Sequence, residues 1–545
     1  MKRLTTWLRV GGLVAALALL AGLNVAVAAS GERSTERSRR GLAQPALAWT
    51  RTLEPVILSG GQVPLFDGAP GDELLAYAYD GDNWQPIPLQ FDEVDASGVY
   101  TAEDGLLDAN DELVFMARDL GQPATPSEWP DDAESRAYPR YEVQVSNPLN
   151  PAELGWVYLY RSTTLAPSPV DYVSWEAANN RLLGGTYVLG LAPEILGINW
   201  LELNGSGVNA LDRTKLRLNA TCWLGPIPLW TDTLSEEDLA ALVGPADPTP
   251  DVDGPVRVGG GSTQASSWSY SSIYQSGAAI DLGSFDPPAP CTSLVLNWAR
   301  LSVDWLDPAA TGMAPATYYD DNTPGGVAID GTPDSIAASP ANAWKQVSGG
   351  QGSAVQVADV TLGSGTLTNY YKDDAIDDPD DTGDGRSYGD AGFRVDSPAG
   401  EVVFHLTTYV LDPGQPNVGA AYQSYQANPL QATATAQSYE PPCEPGGVDF
   451  TWAPRPVHVG VTTTLTATVA SGQPPFTFTW TFGDDGSLVA GNPVTHVFAL
   501  SGTFPVSLTV SNACSTAAPL VHLILVSEPG TTKLVYLPLV VRDAP

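Results

Sequence analysis

Several stretches of this chain alternate apolar and polar residues with a period of two, the pattern of strands with one buried face. Phe476, Phe478, Trp480 and Phe482 alternate with Thr477, Thr479 and Thr481, and Val506, Leu508 and Val510 repeat the pattern further on. In residues 401–411, Val402, Phe404, Leu406 and Val410 share one face, while Val403, His405, Thr407 and Tyr409 share the other. The same reading predicts strands over 86–91, 112–117, 141–145, 155–160, 216–222, 293–303 and 354–362, separated by Gly, Pro, Asn and Asp. Helical spacing is confined to 178–183 and 235–242, the second with Ser235 as cap and Glu236, Glu237 and Asp238 in the dipole-favoured first turn. Short strands at this spacing predict an all-β protein, a large sandwich or supersandwich, and not βαβ units.

The pattern also divides the chain. Its 545 residues set a prior of roughly three to four domain-sized units at about 150 residues each. Residues 1–28 carry Lys2, Arg3 and Arg9, then an apolar run, then Ala26-Val27-Ala28, which predicts a secretory signal cleaved after Ala28; the competing reading is an uncleaved membrane anchor over 10–29. Residues 29–50 have mixed charge and no apolar period, so they read as a flexible lead segment. A large β-rich region follows over 51–438, with an expected subdomain break near 165. Residues 439–447 are a Pro-rich linker, 448–527 a smaller β-domain, and 528–545 a tail. The apolar run 534–541 is too short to span a bilayer, so after cleavage no membrane-spanning helix is expected. That run reads either as an edge strand or as a surface-sorting segment.

Residues 480–512 carry the most specific residues. WTFGDDGS from Trp480, HVF at His496 to Phe498, and GTFPVSLTVSN from Gly502 follow one another in the order of strands and turns of the polycystic-kidney-disease (PKD) repeat, which this segment resembles. Trp480, Phe482, Gly483, Asp484, His496, Phe498 and Gly502 stand at its motif positions. The departures are Thr481, where the family usually has Asp, and one extra Asp in the turn. The resemblance implies an immunoglobulin-like β-sandwich in a secreted bacterial protein, acting as a spacer or as a mediator of protein or carbohydrate contact. It also organises the four cysteines: Cys443 and Cys514 flank the matched strands and are expected to pair, which leaves Cys222 with Cys291. Each bridge closes about 70 residues, which the chain-entropy argument values at a few kcal/mol.

Charge narrows the partners. With 62 acidic against 25 basic residues the net charge is −37, which repels phosphate backbones and excludes nucleic acid as a natural partner. The acids cluster in two loops. Asp92, Asp95, Asp104, Asp108, Asn110 and Glu112 form the first, Asp380 and Asp384 belong to the second, and oxygen-rich loops of this kind are candidate Ca²⁺ ligands. The competing reading is a set of solvated loops capped by Asx-turns. No motif requires a cofactor, so Ca²⁺ is the one candidate. Neither a nucleophile elbow nor a HExxH pair nor a phosphate-binding loop occurs, and the four histidines are far apart. Trp268, Tyr270 and Tyr274 offer aromatic faces on which a sugar could stack, and ordinary packing inside a sandwich is the competing reading. The expectation is a non-catalytic extracellular protein that binds, adheres or supports structure, with extracellular protein or polysaccharide as partner. The rival is a polysaccharide lyase or glycosidase whose carboxylates lie within 51–438.

Overall fold

The structure is a computed structural model that describes residues 49–195, 197–243, 247–261, 265–281, 290–334, 336, 344–379 and 381–530. The expected signal (1–28), nearly all of the lead segment, Asp380 and the tail from 531 onward lie outside the described residues. Among the described residues strands dominate, and the protein is all-β.

The chain divides into two compact units, and the break falls between Gln437 and Ser438; residues Ala124–Trp129 group with the second unit. The first unit begins with a three-stranded sheet, Pro55–Ser59, Glu112–Met116 and Gln90–Asp92 in spatial order. Beside it lies a five-stranded sheet ordered Gln431–Gln437, Arg140–Asn147, Asn150–Arg161, Leu74–Tyr79, Trp84–Ile87. Leu58, Phe66, Leu113, Phe115, Val143, Val157 and Leu159 form their common core. The last strand before the linker therefore returns to pair with a strand almost three hundred residues earlier, Gln431 opposite Ser146.

The remainder of this unit is built on a 12-stranded sheet around two very long strands, Ser353–Asp374 and Ser387–Leu411. Sequence predicts these as two short strands, 354–362 and 401–411. Alternation weakens beyond those limits because Gly363, Gly365 and Gly400 sit where register shifts bend the ladder, yet pairing continues from Ser353–Leu411 to Asp374–Ser387. The long strand has two different second neighbours. Residues 401–409 pair with Ile273–Asp281, whereas 388–396 pair with Ser293–Trp305. A four-stranded sheet, ordered Gly197–Leu203, Tyr187–Ala192, Arg181–Leu183, Ser174–Glu176, packs on this sheet through Leu182, Tyr187, Leu189 and Leu201 against Trp305, Tyr318 and Val410. The helix expected over 178–183 is a single 3-10 turn, Ala177–Asn179, followed by strand: Asn180 takes a left-handed conformation that ends it. Glu236–Val243 is the second expected helix, and the Ser235 and Asp238 side chains cap each other's backbone N–H.

The second unit is a two-sheet sandwich. One sheet is Asp449–Ala453, Thr462–Thr468 and Val494–Val497; the other is Val457–His458, Leu520–Ser527, Gly502–Ser511, Thr477–Phe482 and Leu488–Ala490. The aromatic face of Thr477–Phe482 points inward, so Trp480 and Phe482 lose all exposure against Phe450, Leu465 and Leu508. The Trp480 indole N–H still finds an acceptor, the Gly491 carbonyl at 2.8 Å. Both expected disulfides are formed, Cys222–Cys291 and Cys443–Cys514.

Candidate functional site

The first acidic loop spends its carboxylates on its own backbone and on one arginine. Asp92 is buried; its Oδ2 accepts from Arg257 Nε at 2.7 Å and its Oδ1 from the Gln90 amide at 2.8 Å. Glu112 shares the same guanidinium, whose Cζ lies over the Trp268 ring, 3.8 Å from its centroid. Burial raises the Asp92 carboxyl above its ordinary value, and Arg257 opposes that rise. Asp95 accepts from the Ser97 and Val99 amides, and Asp104 from the Leu106 amide, which are Asx-turns. Asn110 donates to the Val94 carbonyl, and the exposed Asp108 gives its backbone N–H to Asp111. Asp92 and Glu112 are thus brought together; Asp95, Asp104, Asp108 and Asn110 stay at separate turns.

The second acidic loop lies against the sheet's own cations. Asp381 contacts Lys215 at 2.9 Å and Arg217 at 3.2 Å. Burial alone would raise its carboxyl, but these two cations outweigh burial and hold it below the usual range. Asp384 is exposed and accepts from the Arg386 amide. The expected sugar-stacking aromatics are corrected by burial: Trp268 and Tyr270 are enclosed in the core, and Tyr274 packs against Tyr187. Among the described residues, Asp484, Asp485 and His496 are the one acid–imidazole group close enough to share a cation. There His496 Nε2 lies 3.0 Å from both Asp484 oxygens, and its ring stacks on Phe482 at 3.9 Å. That geometry ties the turn after Phe482 to the Val494–Val497 strand.

An open cleft of about 340 Å³ in the first unit offers a different kind of site. One wall is the sheet, where Gln275 stands opposite Thr407 and Ile273 opposite Tyr409. The other wall comes from Glu54, the strand after it, and the helix Gly419–Ala427 with Tyr425 and Gln426. Arg51 builds this wall. It is 2% exposed, donates to Glu54 through Nε at 2.8 Å and Nη2 at 2.5 Å, and reaches the Asn428 and Tyr425 carbonyls at the helix C-terminus at 2.7 and 2.9 Å. A guanidinium there gives the Tyr425 carbonyl a second donor beside the Asn428 N–H and complements the helix dipole. The same group lies over the Tyr425 ring at 4.7 Å, while Tyr422 bridges Tyr409 (4.6 Å) and Tyr425 (5.4 Å). Burial pushes the Tyr422 hydroxyl up to about 12, so it remains a neutral donor. The Gln426 Oε1 is buried with no hydrogen-bond partner among the described residues. His405 does not line the cleft; it is exposed further along the strand, opposite Gly277 and Asp359. A Cβ on Gly277 would meet the His405 ring at 2.4 Å, so glycine there makes room for the imidazole.

Sequence reading missed Glu54, Arg51, Gln275, Tyr425 and Gln426. The Tyr422–Tyr425–Gln426 spacing of three and four was the available signal for a helix face.

The second unit's paired sheets and buried tryptophan define an immunoglobulin-like sandwich. Residues 447–524 match the PKD domain family, and this part of the chain is a PKD domain. The chain is similar to the solution structure of the PKD domain from the human VPS10 domain-containing receptor SorCS2, with 17% identity, 17% of this chain and 80% of that one covered, and a TM-score of 0.15. A polysaccharide lyase is similar at 10% identity over 63% of this chain and 46% of its own, with a TM-score of 0.21. The extracellular domain of a hybrid two-component system from B. thetaiotaomicron is similar at 10% identity over 83% and 63%, with a TM-score of 0.13. At these scores the likenesses carry no argument about activity. No curated protein matches the chain.

Proposed function

We propose that this is an exported, non-catalytic binding protein whose first unit holds a polyhydroxylated ligand such as a polysaccharide segment, with the PKD domain as its accessory module. The observation that carries the reading is the chemistry of the cleft. The half-buried Tyr425 ring and the Gln275 and Gln426 side-chain amides suit the C–H faces and hydroxyls of sugar rings. Glycoside hydrolysis needs two carboxyl groups across the scissile bond. Among the described residues Glu54 is the one carboxylate lining the cleft, and both its oxygens are already bonded to Arg51. Export is supported by the N-terminal pattern and by two disulfides, which persist in oxidising compartments. Among the described residues no helix is long and apolar enough to cross a membrane.

The test is a panel of polysaccharides offered to the full chain, followed by calorimetry with any that bind. Tyr425→Ala is expected to weaken binding about tenfold while the melting temperature stays within a few degrees. Release of reducing ends or unsaturated products from any of the panel would replace the binding reading with the enzyme reading.

A further inference from the structure

Under the helix Glu236–Val243 and the second acidic loop, the 12-stranded sheet buries a polar face. Alternation puts Lys215 and Arg217 on one face of Leu211–Leu224, where Lys215 stands opposite Ser302 and Arg213 opposite Asp304. The ladder slips beside Asp304, between Val303 and Trp305, where Ser293–Trp305 meets Ser387–Leu411. Lys215 Nζ lies 2.6 Å from Asp304 Oδ2, and neither side chain has any exposed surface. Among the described residues Lys215 is the ion-pair partner of that oxygen. Asp304 Oδ1 is fixed by the Tyr388 amide at 3.0 Å, and Lys215 Nζ is fixed by Asp381 at 2.9 Å and the Arg386 carbonyl at 3.3 Å. A third acid, Asp390, is 1% exposed on the adjacent strand; its Oδ1 has no hydrogen-bond partner among the described residues, and Arg300 lies 3.9 Å from its Oδ2.

We propose that Lys215 and Asp304 condense into an intramolecular amide that joins their two strands covalently, with Asp390 as the proton shuttle. A proton passes from the Lys215 ammonium to the Asp304 carboxylate through Asp390, giving an amine and a carboxylic acid. The amine attacks Cγ, the N–C bond forms, and Asp390 moves the second amine proton to the departing hydroxyl. One ammonium and one carboxylate become one amide and one water, with no oxidant, reductant or co-reactant. Burial and the neighbouring Asp390 raise the Asp304 carboxyl, which favours the acid form the step requires. Fixed contact at this range supplies the effective concentration that the same reaction lacks between free side chains in water. Exclusion of water protects the product, and replacing a buried ion pair with a neutral amide removes the desolvation cost of both charges. Asp381 keeps Arg217 as its partner afterwards.

The bond would close the far end of a strand pair that Cys222–Cys291 already closes near its other end. Fragment mapping by mass spectrometry on the full chain, after reduction and denaturation, tests this. The expected result is a branched peptide containing both Lys215 and Asp304, lighter than its two parts by one water. Asp304→Asn is expected to give the identical branched product by loss of ammonia, and Asp390→Asn to leave both peptides separate. Recovery of separate, unmodified Lys215 and Asp304 peptides from the unsubstituted protein would overturn the proposal. Full linkage in Asp390→Asn would overturn the shuttle.

Discussion

At the scale of single residues, this very acidic chain places its few cations where they decide most. Arg257 is 1% exposed and holds Asp92 and Glu112 together, so removing it leaves two carboxylates without their counter-charge in a partly dry site. Arg257→Ala is expected to cost about 3–5 kcal/mol in a urea titration. Asp95→Ala, which loses a surface Asx-turn, should leave the urea midpoint nearly unchanged. Asp119 shows the opposite situation. Burial pushes its carboxyl up to about 6, against the hydrogen bond from the Tyr172 hydroxyl at 2.6 Å and the nearby Arg118. An unfolded Asp titrates near 3.8, so between these values the folded chain keeps a proton that the unfolded chain releases. Stability therefore falls as pH rises through that window, and the whole penalty, on the order of 1–3 kcal/mol, stands above about 6. Asp119→Asn should gain on the unsubstituted protein as pH rises from about 4 to 7; parallel stability curves would rule this out.

At the scale of elements, what was legible was what repeats. The aromatic–threonine alternation from Phe476 to Phe482 is legible because its aromatic face turns inward, with Trp480 and Phe482 fully buried and Phe476 and Phe478 half-buried, while Thr477 and Thr481 are exposed. Trp480→Ala tests how much that face carries: loss of a fully enclosed indole should cost about 3–5 kcal/mol, seen as loss of the tertiary circular-dichroism signal of the PKD domain at a lower urea concentration. The long strands were half legible. Residues 363–374 and 387–400, toward the turn that joins them, are interrupted by Gly363, Gly365, Gly389, Gly392 and Gly400, and they are strand because they pair with each other and with Ser293–Trp305. The cleft was the least legible feature. Its walls come from residues 54–62, 273–275, 407–409 and 425–432, and only the return of Gln431–Gln437 to the first sheets brings them into one unit. Acid density in the loops drew attention to metal ligation, although sequence does not reveal that Arg257, Lys215 and Arg217 stand opposite those acids.

At the scale of the whole molecule, each compact unit has its own disulfide, and this makes their separateness measurable. Cys443–Cys514 joins the entry of the PKD domain to the segment after Gly502–Ser511, while Cys222–Cys291 lies inside the 12-stranded sheet. Because each bridge restricts mainly the unfolded ensemble of its own loop, removing one should destabilise one unit and leave the other alone. Calorimetry of the full chain is expected to show two transitions. Cys443→Ser with Cys514→Ser should lower one by an amount corresponding to about 2–5 kcal/mol, and Cys222→Ser with Cys291→Ser should lower the other. If Lys215 and Asp304 are linked, the second pair of substitutions should have the smaller effect, because the amide still joins the same two strands. Restoring the free side chains with Lys215→Arg in that background should then bring the full loss. A single transition that moves with either pair would mean that the two units unfold as one.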